Sequence, residues 1–136
     1  MTRVLLVTGA CQLLFALFLA WVMVLTNHAK LPLLVRTVKS YRDLVRAHLD
    51  YLLMALFLLA FFSVYRSLGR VCPAWAVVLA CFGSSTNPLG FLIPALNPRA
   101  DSQPVASPYK VLLYSAFIST TLGFGWIAMD LISATG

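Results

Sequence analysis

Residues 4–25 read VLLVTGACQLLFALFLAWVMVL, 22 consecutive positions without a charged side chain. As an α-helix rising about 1.5 Å per residue, the stretch is about 33 Å long, enough to cross a hydrocarbon core of about 30 Å. Arg3 in front of it gives the outline of a signal peptide. The apolar run is too long for a signal core, however, and no clear small-residue cleavage site follows, so a retained helix is expected.

Working outward, residues 71–96 and 111–129 are also uncharged, over 26 and 19 positions. The second apolar segment is shorter. Only 15 uncharged residues lie between Asp50 and Arg66, about 22 Å of helix. To span, it must take in His48 and Asp50, giving 47–65 and placing both side chains in the first turn at the membrane boundary. The chain is 61% hydrophobic and 10% charged over 136 residues, against about 25% charged in soluble domains. Four spans near 4–26, 47–65, 71–95 and 109–131 use almost all of it. The expectation is a single all-α domain over 1–136: an integral membrane four-helix bundle, up-down-up-down.

Charge sets the topology. Lys30, Arg36, Lys39, Arg42 and Arg46, opposed only by Asp43, lie in the first connection, and Arg99 and Lys110 flank the third. Arg3, Arg66 and Arg70 face the other way, so the count is seven against three. The positive-inside rule then puts loops 27–46 and 96–108 in the cytoplasm and both termini outside. The net charge of +6 thus reads as a topology and headgroup signal rather than a nucleic-acid surface. Leu33, Leu34, Val38, Tyr41 and Val45 recur among the basic residues at helical spacing, as in an interfacial helix. Trp21, Trp75 and Trp126 fall near span ends, as an aromatic belt requires. Cys11, Cys72 and Cys81 are widely separated and read as packing residues.

Polar residues inside the spans are the candidates for chemistry, because a polar group in hydrocarbon is costly and tends to face a functional interior. His48 and Asp50 open span two. Gly83-Ser84-Ser85-Thr86-Asn87-Pro88 interrupts span three, and Tyr109 and Tyr114 open span four. All fall in the half of the bilayer nearest loops one and three, which implies a polar cavity open to that side. Gly83, Asn87 and Phe91 share one helical stripe. Pro88 removes a donor and crowds the Ser84 carbonyl, so a kink is expected there. The plainer reading of the serines is close helix packing. Asp50 has Arg46 at i, i+4 as an anchoring partner, and Asp130 is expected at the far interface. His48 is the single histidine within a span, suited to a metal or haem iron; the plainer reading is a boundary histidine bonded to a carbonyl or headgroup. With no second intramembrane histidine, no CxxCH and no HExxH, a bis-histidine cytochrome and a zinc protease are disfavoured.

Arg46-Ala47-His48-Leu49-Asp50 resembles the AHLE-type motif of hydroxylaminobenzene mutases and the AH motif of the related styrene oxide isomerases. Phe82-Gly83-Ser84-Ser85-Thr86-Asn87 is similar to the YGTYAN-type segment of that family's third span. Length, span count and the 34-residue step from His48 to Phe82 agree with it. The resemblance implies a small homo-oligomeric membrane isomerase, such as a trimer, of the bacterial cytoplasmic membrane. In the epoxide branch it also implies a haem b between subunits, with His48 as the axial iron ligand. Asn87 would be a pocket residue. The chain departs from the family at Met54, where an Asn is usual, at Tyr51, where a Gly is usual, and at Pro88 and Phe91, which replace an aromatic and a tyrosine. Tyr51, Tyr109 or Tyr114 would then supply the missing hydroxyl, and Asp50 joins Asn87, Tyr51 and Tyr114 as a candidate catalytic group.

Two functions follow. One is an isomerase rearranging an arylhydroxylamine or aryl epoxide by Lewis-acid assistance from a His48-ligated haem, without net redox. The other is a non-catalytic membrane protein, haem- or quinone-associated or an assembly subunit. A cation-coupled transporter is disfavoured because the first span carries no acid.

Overall fold

The structure is a computed structural model, and it describes residues 2–100, 102, 104, 105 and 107–135; positions 101 and 103 and position 106 of the third connection lie outside them. Among the described residues six helices follow one another: α1 (Thr2–Asn27), α2 (Pro32–Thr37), α3 (Tyr41–Ser67), α4 (Ala74–Thr86), α5 (Leu89–Leu96) and α6 (Pro108–Thr135). A short 3-10 turn, Pro98–Ala100, follows α5. With α4 and α5 taken as one interrupted span, four segments are long and apolar enough to cross a membrane. The expected all-α, four-helix membrane bundle is what the chain forms. Its outer surface is inside-out by soluble standards, with Leu14, Phe18, Trp21, Phe117, Met129 and Ile132 all exposed, the arrangement lipid requires.

Span two begins earlier than its hydrophobicity indicates. The α3 helix starts at Tyr41, not at Ala47, because Ser40 caps it. The Ser40 hydroxyl donates to Asp43 Oδ2 at 2.6 Å and accepts from the Asp43 N–H at 3.4 Å, a serine cap with an acid at the third helical position. His48 and Asp50 therefore sit about two turns inside the helix rather than in its first turn. Tyr41 and Val45 belong to α3, so the interfacial helix shrinks to the six residues of α2. The backbone N–H groups of Lys39 and Ser40 both donate to the Ala95 carbonyl, at 2.8 and 3.1 Å, which ties the first connection to the end of α5.

The bundle is two tight pairs. α1 lies along α3 and α4 along α6, while α3 also meets α4 and α5. Glycines set the α4–α6 distance. A Cβ on Gly83 would lie 2.4 Å from the Thr120 nitrogen, and one on Gly123 would lie 2.5 Å from the Ala80 nitrogen. Small residues at both crossing points let the backbones touch, the usual device where lipid supplies no hydrophobic drive between helices. Between the pairs, α3 and α6 meet through rings: Phe124 packs edge-on against Phe57 at 5.8 Å and against Phe61 at 5.2 Å. At the end bearing the termini, the buried Tyr65 donates to Asp130 Oδ2 at 2.6 Å, and Arg70 Nη2 reaches Asp130 Oδ1 at 3.2 Å. Asp130 is thus tied at that end of the bundle to α3 and the turn after it.

Candidate functional site

The expected kink occurs where Pro88 stands. Pro88 has no N–H for the Ser84 carbonyl, and α4 stops at Thr86 while α5 restarts at Leu89. Across the break the ladder tightens to i→i−3 bonds, Gly90 N–H to the Asn87 carbonyl at 3.0 Å and Phe91 N–H to the Pro88 carbonyl at 3.1 Å. Side chains serve the broken turn. Tyr51 donates its hydroxyl to the Ser85 carbonyl at 3.2 Å, and Tyr109 donates to the Gly90 carbonyl at 3.1 Å. Irregular backbone at membrane depth is tolerated where protein satisfies it in this way.

The polar residues read from the sequence do not share one cavity. On one side of α3, Asn87 Nδ2 donates to Asp50 Oδ2 at 2.9 Å. Arg46 is not the partner of Asp50: it pairs with Asp43 at 3.2 Å, leaving the carboxylate to the broken span. Asn87 and Tyr114 line a mostly apolar cleft of about 460 Å³ together with Gly90, Phe91, Leu113 and Phe117. Tyr114 is half exposed there. With Tyr51 and Tyr109 engaged on backbone carbonyls, Tyr114 is the tyrosine whose hydroxyl the cleft can use.

On another side of α3, His48 Nδ1 lies 2.8 Å from the Ala16 carbonyl oxygen of α1. A carbonyl only accepts, so Nδ1 carries a proton, and in the neutral ring Nε2 is the lone-pair nitrogen. Positions 48 and 50 are about 200° apart around a helix, so one protomer does not bring His48 and the Asp50–Asn87 pair together. Tyr51 stands on the His48 side, its ring edge-on to Phe15 at 4.9 Å. Among the described residues, no three His, Cys, Asp or Glu side chains cluster so as to hold a metal ion by themselves. A haem asks less of the protein, a single axial donor with apolar surroundings. His48 fits that demand: one nitrogen is fixed by a carbonyl and the other is bare, while the neighbouring Leu49 and Leu53 of α3 are half exposed.

One polar residue escapes the charge-based reading. Gln12 sits in the middle of the uncharged first span and is only 4% exposed. Its Nε2 donates to the hydroxyls of Ser84 and Ser85, at 2.9 and 3.0 Å. These serines are therefore more than packing residues: they receive α1 through the Gln12 amide. Among the described residues, buried Gln12 Oε1 has no hydrogen-bond partner. The signal for it was present, a glutamine amid 22 residues of otherwise weakly polar or apolar character. No known protein family, no curated protein and no solved structure matches the chain.

Proposed function

We propose that the chain is an integral membrane isomerase of the bacterial cytoplasmic membrane that rearranges a small aromatic substrate without net redox. His48 holds a haem b, and the cleft of Asn87 and Tyr114 holds the substrate. The observation that carries this reading is the His48 ring, with Nδ1 committed to the Ala16 carbonyl at 2.8 Å. Ligating histidines characteristically donate their other ring N–H in this way, which fixes tautomer and orientation and makes the free nitrogen a better donor to the metal. When bound, the haem iron supplies a Lewis acid toward the oxygen of a C–O or N–O bond.

The chain's own residues do the rest. Asp50 accepts from Asn87 and so holds that amide at the cleft wall. Tyr114 brings an O–H donor to the same wall, and Phe91, Leu113 and Phe117 provide the apolar surface for an aromatic ring while excluding water. Since His48 and Asp50 point to different sides of α3, a complete centre forms between copies of the chain. A homo-oligomer, such as a trimer with the cofactor between subunits, belongs to the proposal, as does a cytoplasmic placement of loops 27–46 and 96–108.

The test is the absorption spectrum of detergent-purified protein, expressed with haem supplied, beside His48→Ala. A Soret band lost in the variant, with helical content kept, supports the reading. Turnover of aryl epoxides or arylhydroxylamines without added reductant then identifies the reaction. Absence of a Soret band from the wild-type protein overturns the haem assignment. The competing reading is a non-catalytic membrane protein, in which the His48–Ala16 bond simply pins α1 to α3. On that reading His48→Ala lowers stability and changes no spectrum.

A further inference from the structure

A cleft of about 490 Å³ lies where α1 ends and the chain turns into α2, lined by Thr26, Asn27, Lys30, Pro32, Val35 and Arg36. We propose that it binds the phosphate of an anionic phospholipid, held between Lys30 and Arg36. The site shares no residue with the surroundings of His48 or Asn87, so it stands whether or not the haem reading does.

The first observation is charge. The first connection holds five cations, Lys30, Arg36, Lys39, Arg42 and Arg46, and one acid, Asp43. That acid is engaged elsewhere, accepting from the Ser40 hydroxyl and pairing with Arg46 at 3.2 Å. No carboxylate lines the cleft, and among the described residues neither Lys30 nor Arg36 forms an ion pair. A phosphodiester carries two anionic oxygens, so it meets the fork of a guanidinium and the point charge of an ammonium together. Asn27 adds an amide donor to the wall, while the Thr26 hydroxyl is committed to the Val22 carbonyl at 2.7 Å.

The second observation is the backbone. Lys30 has φ 48°, a left-handed position behind a helix at which glycine is usual. Behind α3 that place is taken by Gly69, with φ 63°. A lysine at a helix end commonly serves the last carbonyls. Here the Val24 and Leu25 carbonyls already receive the N–H groups of His28, Ala29 and Leu31 at 2.8, 3.4 and 3.2 Å, so the Lys30 ammonium is left for a ligand.

The third is location. The cleft adjoins the end of a membrane span, and Leu31, Leu33 and Val35 stand exposed among its cations. Apolar side chains beside basic ones suit the boundary between headgroups and acyl chains, where a phospholipid presents its phosphate. The sequence reads the whole connection as a headgroup signal; the fold singles out two of its five cations.

The test titrates the detergent-purified full chain with tail-labelled phosphatidylglycerol and phosphatidylcholine of identical acyl chains, followed by fluorescence anisotropy. Wild-type protein should prefer phosphatidylglycerol roughly five- to thirtyfold, the worth of one to two cations at an anionic surface. The double variant Lys30→Gln, Arg36→Gln should lose that preference. Exchanging the cations, Lys30→Arg with Arg36→Lys, should keep most of it. Arg42→Gln with Arg99→Gln removes the same charge from exposed positions outside the cleft and should leave the preference in place. Equal binding of the two lipids by the wild type overturns the proposal, as does a preference that survives in the Lys30, Arg36 variant. Equal losses in the two charge-removing variants also overturn it, since diffuse attraction then suffices. Millimolar inorganic phosphate should displace the lipid no better than chloride of matched ionic strength; stronger displacement would make the ligand a soluble phosphate and overturn the lipid assignment.

Discussion

Replacing Gly123 by alanine tests one of the two glycine crossings between α4 and α6. The added Cβ would stand 2.5 Å from the Ala80 nitrogen and 2.8 Å from its Cα. Both are backbone atoms, so no side-chain rotation relieves the overlap. Ordinary contact begins at 3.4 Å, and 3.4 minus 2.5 means that α4 and α6 must part by about 0.9 Å. A gap of about 0.5–1 Å forfeits roughly a quarter to a half of each contact's attraction, itself about 0.1–0.2 kcal/mol. Over a few tens of atom pairs along the seam, the loss is about 1–2 kcal/mol, within the usual range for overpacking. Alanine returns about 0.5–1 kcal/mol of helix propensity, so the net destabilisation is about 0–1.5 kcal/mol. By the scaling of soluble domains this lowers Tm by up to roughly 8 °C. Gly125, two residues on, has nothing within 4 Å of its hypothetical Cβ. Gly125→Ala therefore collects the propensity without the clash and should leave Tm unchanged or raise it. Thermal melts followed by circular dichroism in one detergent decide the matter. If Gly123→Ala melts with Gly125→Ala, the α4 and α6 backbones are not in contact and the argument fails.

Two further substitutions probe the polar pairs. Tyr65→Phe fills the same buried space and removes only the bond to Asp130; with Arg70 still on that carboxylate, the cost should lie near about 1.5 kcal/mol, the low end for a hydrogen bond to a charged group, and unchanged denaturation would dismiss the pair as incidental. Asn87→Leu takes the partner from Asp50 at membrane depth and should destabilise by about 1–3 kcal/mol. In a double-mutant cycle with Asp50→Leu, a coupling energy of about 0.5 kcal/mol or more is expected, and additivity would mean that the 2.9 Å contact carries no energy.

The sequence also held signals that hydrophobicity alone passes over. Ser40 and Asp43 form a cap three residues apart, which moves the start of α3 back to Tyr41 and carries His48 and Asp50 inward. Counting uncharged residues missed this, because a helix can begin well before the point where its span enters the membrane. Gln12 was overlooked for a related reason: a charge count treats an amide as if it were apolar, although in lipid an unmet amide is costly. The Arg46–Asp50 pairing was plausible at i, i+4, but Asp43 competes for the same guanidinium from the opposite direction and takes it at 3.2 Å.

By itself the sequence determined the solvent, the number of spans and the break at Pro88. These follow from composition, length and a missing N–H, which are properties of each segment alone. Which polar group meets which was decided only by the tertiary structure. His48 and Asp50 are two residues apart in the chain, yet a helix turns them about 200° from each other. One therefore goes to the Ala16 carbonyl of α1 and the other to Asn87 of the broken span. Gln12 and Ser84 are 72 residues apart and meet at 2.9 Å. Partners across helices depend on the rotation of each helix about its axis. That rotation is set here by small residues such as Gly83 and Gly123, through which α4 and α6 come into contact.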